Sequence, residues 1–201
     1  FSACQRCFFM VAFRRNKQSD LHMDLKKIGI FIFDTLKLAI VAVVIVLPIR
    51  YFVIQPFFVL GASMEPTFHN GDYLIIDEIS YRLGEPERGN VIVFRYPNNP
   101  KQFYIKRIVG LPGEAVIINE QGVTIKNKEN PDGLLLKEEY LREAHTYGNM
   151  SQTLAHNEYF VLGDNREASS DSRRWGALKE EFIVGKVFVR AYPFQNAEVF
   201  K

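Results

Sequence analysis

Between Lys37 and Arg50 run twelve residues without a charge, LAIVAVVIVLPI. This stretch constrains the chain more than any other, because such a composition must be hidden either in a protein core or in lipid, and twelve residues fit both. Extended back to Ile28, the segment becomes residues 28–49, which as a helix reach about 33 Å and cover a bilayer core. Spanning requires Asp34 and Lys37 to lie near one interface or to face a partner. Upstream stand Arg6, Arg14, Arg15, Lys17, Lys26 and Lys27 against Asp20 and Asp24, so the positive-inside tendency predicts a cytoplasmic N-terminus and an extracytoplasmic remainder. A cleaved secretory signal is the competing reading, but such a signal gives way to a polar linker, whereas here IRYFVIQPFFVLGAS stays apolar. Phe57 and Phe58 are then expected at or just above the membrane surface, where aromatic rings favour the interface.

Averages over the whole chain hide this asymmetry. The 201 residues suffice for one domain with a core plus an appendage. With 25 Lys+Arg against 23 Asp+Glu the formal charge is +2, a balance that favours neither disorder nor a polyanionic partner such as nucleic acid. Cys4 and Cys7 form an isolated C-x-x-C without the further ligands a zinc site needs or the βαβ context of a redox motif, and the rest of the chain has no cysteine. The chain begins at Phe1 while Met23 opens MDLKK, so residues 1–22 are expected to lie upstream of the natural start. The expected organisation is a cytoplasmic segment 1–27, a membrane helix 28–49 and an extracytoplasmic domain 50–201.

After residue 60 the pattern changes to short β-branched and aromatic runs separated by turn residues. Strands are expected at 73–77, 90–96, 102–111, 115–119, 123–126, 158–162 and 183–192, with 115–126 a hairpin. Asn70-Gly71, Arg88-Gly89, Pro112-Gly113 and Gln121-Gly122 supply the turns. Residues 127–157 are polar and less periodic, and read as a surface insertion with a short helix at 134–144. The fold class is mainly β and antiparallel, behind one transmembrane helix.

Three segments carry candidate chemistry. The first, GASMEPT, places Ser63 between small residues, but Glu65 stands where a nucleophile elbow needs glycine. His69, His145 and His156 fall in polar stretches that mark none of them as a general base. The second, FYIKRIVGLPGE, sets Lys106 and Arg107 inside an apolar strand. Strand alternation points them to opposite faces, so one of them shares a face with Tyr104 and Ile108, or with Ile105 and Val109. A solvated edge strand is the alternative. A free lysine, with a pKa of about 10.4, cannot take a proton from serine near neutrality; a buried one can, because burial disfavours the charged form. The third, GDNREASSDSRRWG, suits a tight loop of side-chain hydrogen bonds and an Asp–Arg pair. Its acidic positions Asp164, Glu167 and Asp171 do not follow calcium-loop spacing, and Arg166, Arg173, Arg174 and Arg190 would oppose a cation.

Taken in order behind the apolar segment, FVIQPFFVLGASMEPT, GDYLIIDEISYR, RGNVIVFRYP, FYIKRIVGLPGE and VLGDNREASSDSRRWG resemble the bacterial type I signal peptidases over residues 28–189. The resemblance implies a β-rich, single-pass enzyme of the cytoplasmic membrane that removes signal peptides from exported preproteins, without metal or organic cofactor. By resemblance Ser63 is the nucleophile and Lys106 the general base, while Ser169 is the hydroxyl that orients the lysine amine. Asp171 and Arg173 are the supporting ion pair, and Tyr104, Arg107, Asp164 and Arg166 shape the site. Phe57, Val59 and Ile105 match positions lining shallow pockets for small side chains. Some members carry a serine two residues before the nucleophile as a second oxyanion donor; this chain has Gly61, as other members do. A self-cleaving repressor-like protease would require a DNA-binding helix-turn-helix in place of the apolar segment. An inactive membrane-anchored β module would not require both Ser63 and Lys106.

Overall fold

The computed structural model describes residues 25–46, 54–142 and 146–200, the side chains of residues 82 and 83 aside. The expectations for residues 1–22, for Cys4 and Cys7, and for helix positions 47–49 lie outside the described residues. The chain divides into two compact units, Phe1–Ile49 and Arg50–Lys201. In the first, helix α1 occupies Leu25–Val46, 22 residues long and apolar enough to cross a membrane. It begins three residues before the expected start. All of its described residues are exposed, Phe31 and Leu38 by about 70% (72% and 71%), which makes it a candidate membrane span by length and composition.

In the second unit every strand pair among the described residues is antiparallel. Its strands are β1 (Ile54–Phe58), β2 (Tyr73–Asp77), β3 (Val91–Tyr96), β4 (Asn99–Gly110), β5 (Ala115–Asn119), β6 (Gly122–Lys126), β7 (Leu134–Leu135), β8 (Met150–Thr153), β9 (Glu158–Leu162), β10 (Leu178–Lys179), β11 (Ile183–Tyr192) and β12 (Glu198–Val199), with short helices α2 (Ser80–Leu83) and α3 (Ser172–Trp175). The larger sheet runs β1-β2-β11-β3-β4-β9-β10, with β12 on β11, and the smaller β7-β6-β5-β8. Burial alternates along β2 and β5, as expected for strands covered on one face. Strand β3 differs, because Val91, Ile92, Val93 and Phe94 are all buried. Val91 and Val93 join one core cluster with Met64, Phe68, Leu74 and Ile76, whereas Ile92 and Phe94 join another with Ile108, Tyr159 and Val161. The large sheet is therefore packed on both faces at its middle, where β4 brings Lys106.

Seven expected strands are present with shifts of up to three residues, and β5–β6 is the expected hairpin. The short helix expected at 134–144 is not formed over its described residues: Leu134–Leu135 pair with β6 and residues 136–142 are irregular. The side chains that follow are committed to the neighbouring loop, and that tertiary demand overrides a helix-favouring composition.

Candidate active site

Ser63 lies in the turn that follows β1. The turn is pinned by buried Met64 and Phe68, by the Phe68 N–H donating to the Met64 carbonyl at 2.9 Å, and by the Asn165 N–H donating to the Ser63 carbonyl at 3.1 Å. Gly61 enters the turn with φ +92° and donates its N–H to Asn70 Oδ1 at 2.9 Å. A serine there would sit in a backbone region that L side chains rarely adopt, so in this chain glycine and the turn's geometry belong together. Among the described residues the Ser63 N–H has no acceptor.

Lys106 comes from the other side of the site. In the β3–β4 register it stands opposite Ile92, on the face of Tyr104 and Ile108, which selects one of the two faces left open by the sequence. Strand β9 pairs with β4 only from Arg107 to Gly110, so the edge at Lys106 is free for the side chain to turn toward Ser63. The amine is 2.8 Å from Ser63 Oγ and donates to the Ile105 carbonyl at 2.7 Å. Lys106 is 3% exposed. Burial lowers its pKa to about 8, against the opposing pull of the Asp171 and Asp164 charges. Its Nζ also lies 5.5 Å from the centre of the Tyr104 ring, which stacks on Tyr96 at 4.5 Å.

The loop from Gly163 to Trp175 closes the site. The Gly163 N–H donates to Asp171 Oδ2 at 3.1 Å, and Arg173 binds the same carboxylate through Nε at 2.8 Å and a terminal nitrogen at 2.9 Å. Burial of Asp171 works against its charge, but the Arg173 hydrogen bond and charge win and hold its pKa below the usual carboxylate value. Asp164 takes a two-pronged bond from Arg107 (2.9 and 2.6 Å) and one from Thr67 Oγ1 at 2.6 Å. Arg166 pairs with Glu138. Ser169 is buried close to Asp171, near enough to favour that carboxylate's charge, yet its Oγ completes no hydrogen bond of ordinary geometry. The amine contact expected of Ser169 is absent here, and the Ile105 carbonyl holds the lysine instead.

A cleft of about 710 Å³ opens beside the pair, and Phe57, Val59, Leu74 and Ile105 form an apolar floor next to Ser63 and Lys106. The three expected pocket residues thus meet the two expected reacting groups. Thr67, Glu138, Tyr140, the Ile105 carbonyl and the Asn165 N–H were not expected from the sequence. A turn threonine carries no distinguishing signal, Glu138 is one of three acidic residues in KEEYLRE, and backbone groups leave no trace in residue identity. Among the described residues no group of three or more His, Cys, Asp or Glu could hold a metal ion.

A serine hydroxyl against a buried lysine, on an antiparallel sheet beside a shallow apolar cleft, defines the class of β-fold serine hydrolases that use an amine where others use an imidazole. Comparison with known proteins narrows the class. Residues 32–192 match the family model described as signal peptidase, peptidase S26. The chain is 38% identical to a probable signal peptidase I-2 of Synechocystis sp. over 78% of its own length and 72% of that protein's. It is 34% identical to signal peptidase IB of Staphylococcus aureus, covering 78% of this chain and 87% of the relative. Against the crystal structure of a signal peptidase I from Enterococcus faecalis, identity is 31% and the TM-score 0.44, over 51% of this chain and 97% of the other. The chain belongs to the S26 family of signal peptidases.

Proposed function

We propose that this chain removes signal peptides from exported preproteins, with Ser63 as nucleophile and Lys106 as general base. The observation that carries the proposal is the 2.8 Å contact between Ser63 Oγ and a buried amine whose pKa is brought down to about 8. In its neutral form that amine has two N–H groups and one lone pair. One N–H is fixed on the Ile105 carbonyl, which leaves the lone pair free to face the Ser63 hydroxyl.

Lys106 takes the hydroxyl proton as Ser63 Oγ bonds to the scissile carbonyl carbon, and the oxyanion so formed is placed to accept from the Ser63 N–H. The protonated amine then delivers the proton to the leaving nitrogen, and an acyl-enzyme remains. Neutral again, Lys106 draws a proton from the water whose oxygen attacks the ester carbonyl, and returns it to Ser63 Oγ as the ester bond breaks, which releases the signal peptide's carboxylate and restores the serine hydroxyl. The apolar floor of Phe57, Val59 and Ile105 suits small side chains near the cut, as in the A-x-A ends of signal peptides. Asp171 with Arg173 and Asp164 with Arg107 hold the loop in place. Tyr104 packs under the amine, Ser169 fills the space beneath the loop, and Arg166 anchors the loop's outer side.

Helix α1 anchors the enzyme in the cytoplasmic membrane, and the basic residues before it keep the N-terminus in the cytoplasm. The catalytic domain therefore meets preproteins at the outer face, and its ligands are the signal peptide and the surrounding lipid, with no nucleic acid. The test is cleavage of a preprotein by the full chain in detergent. Ser63→Ala and Lys106→Met should each lower kcat by at least a thousandfold while the β domain stays folded, and turnover retained in either variant removes the pair.

A further inference from the structure

Two residues that follow β7, Glu138 and Tyr140, reach arginines of the active-site loop and of β4. Glu138 binds Arg166 through both oxygens, at 2.5 and 3.0 Å. The pair is buried, its side chains 8% and 3% exposed respectively. Arg166 also donates to Thr146 Oγ1 and, through Nε, to the Gly163 carbonyl at 3.0 Å. The Arg166 carbonyl in turn accepts from Arg173 at 2.6 Å. Tyr140 donates its hydroxyl to Glu138 Oε1 at 2.7 Å and lays its ring 4.0 Å under the Arg107 guanidinium.

Each contact leads to the chemistry in one further step. Arg166 sits in the same tight loop as Asn165, whose N–H fixes the Ser63 carbonyl, and as Gly163, whose N–H fixes Asp171. Arg107 follows Lys106 on β4 and holds Asp164. A two-pronged guanidinium–carboxylate pair fixes direction as well as distance, and a buried one leaves an uncompensated charge when one partner is removed.

We propose that Glu138 is a positioning residue for the Ser63–Lys106 pair, acting through Arg166, with Tyr140 as its companion through Arg107. The inference rests on the catalytic reading above. Glu138 touches no reacting atom; it sets how closely the 163–171 loop is pressed onto Ser63 and how completely that loop shields Lys106. The groups facing the amine are Ser63, Tyr104, Asp171 and Asp164. A loosened loop admits water to the amine and removes the burial that suppresses its charge, so the lysine reverts toward its ordinary range.

The experiment compares the full chain in detergent with Glu138→Ala, Glu138→Gln, Tyr140→Phe and Ser63→Ala, using a preprotein substrate from pH 6 to 10. Glu138→Ala should lose tenfold or more in kcat with KM within twofold, and the ascending limb of its kcat/KM profile should move upward by half a pH unit or more. Glu138→Gln keeps an acceptor for Arg166 and should recover part of kcat, and Tyr140→Phe should lose two- to threefold. A folded Glu138→Ala with wild-type kcat and limb, or with a loss confined to KM, overturns the inference. If Glu138→Ala does not fold, as judged by emission of the single tryptophan, Trp175, Tyr140→Phe decides by the same readouts. Activity surviving in Ser63→Ala removes the catalytic reading itself, whereas an inactive Ser63→Ala beside wild-type-like Glu138 and Tyr140 variants removes only the positioning role.

Discussion

Lys106 concentrates the conflict between stability and function in one side chain. Its pKa is about 8 in the folded protein and about 10.4 in an unfolded chain. The folded state therefore binds the proton less tightly, and stability rises with pH between these two values; the cost of burying the charge is fully present below pH 8 and fades as pH climbs toward 10.4. At pH 7 that cost is on the order of 3 kcal/mol, partly offset by the bonds to Ser63 and Ile105. Lys106→Met is expected to raise the melting temperature at pH 7 while abolishing cleavage, and the gain should shrink by pH 10; thermal unfolding at the two pH values measures it. The same titration governs the rate, since only the neutral amine accepts the serine proton. Cleavage should climb about tenfold per pH unit below pH 8 and level off above it, and a flat profile from pH 6 to 9 speaks against an amine base.

Among the elements, the loop from Gly163 to Trp175 tolerates little change. A Cβ on Gly163 would stand 2.5 Å from the Ser63 carbonyl oxygen and 2.3 Å from Ser169 Oγ, so Gly163→Ala must push the loop off the nucleophile's turn. Overpacking of this kind costs about 1–3 kcal/mol, and a displacement near 1 Å costs a catalyst roughly a hundredfold. The variant should remain folded and lose about that factor in kcat, as steady-state cleavage would show. This loop was legible in sequence as a dense cluster of short polar groups, and the Asp171–Arg173 pair lies within it. Strands β2, β5, β9 and β11 were legible to the residue because each is a β-branched or aromatic run between turn signals. Strand β1 was not, since Pro56 sits at its centre, and proline is tolerated there only because β1 is a sheet edge. Strands of two to four residues, β7, β8, β10 and β12, are too short for any periodicity to show. The partner of Arg166 was illegible for a different reason: Glu138 lies 28 positions away, and no local pattern encodes a contact at that separation.

At the scale of the whole molecule, two compact units of unlike composition share one chain. The three core clusters draw their members from residues 57–200, and the unit Arg50–Lys201 is compact by itself, so the β domain should fold without α1. In the proposed function the helix contributes instead to encounter. A preprotein held in the same bilayer meets the cleft at an effective concentration set by the membrane, an advantage that can reach a hundredfold or more without any added contact. Removal of residues 1–49 should therefore leave cleavage of a short soluble peptide within about threefold of the full chain. Processing of a preprotein in lipid vesicles should fall by one to two orders of magnitude. Parallel assays of the two substrates separate the possibilities: equal losses on both would mean that the helix supports the fold of the site, and no loss on either would mean that the cleft captures signal peptides from solution. The selective loss follows only if the catalytic unit is complete in itself and the apolar segment acts by placing it.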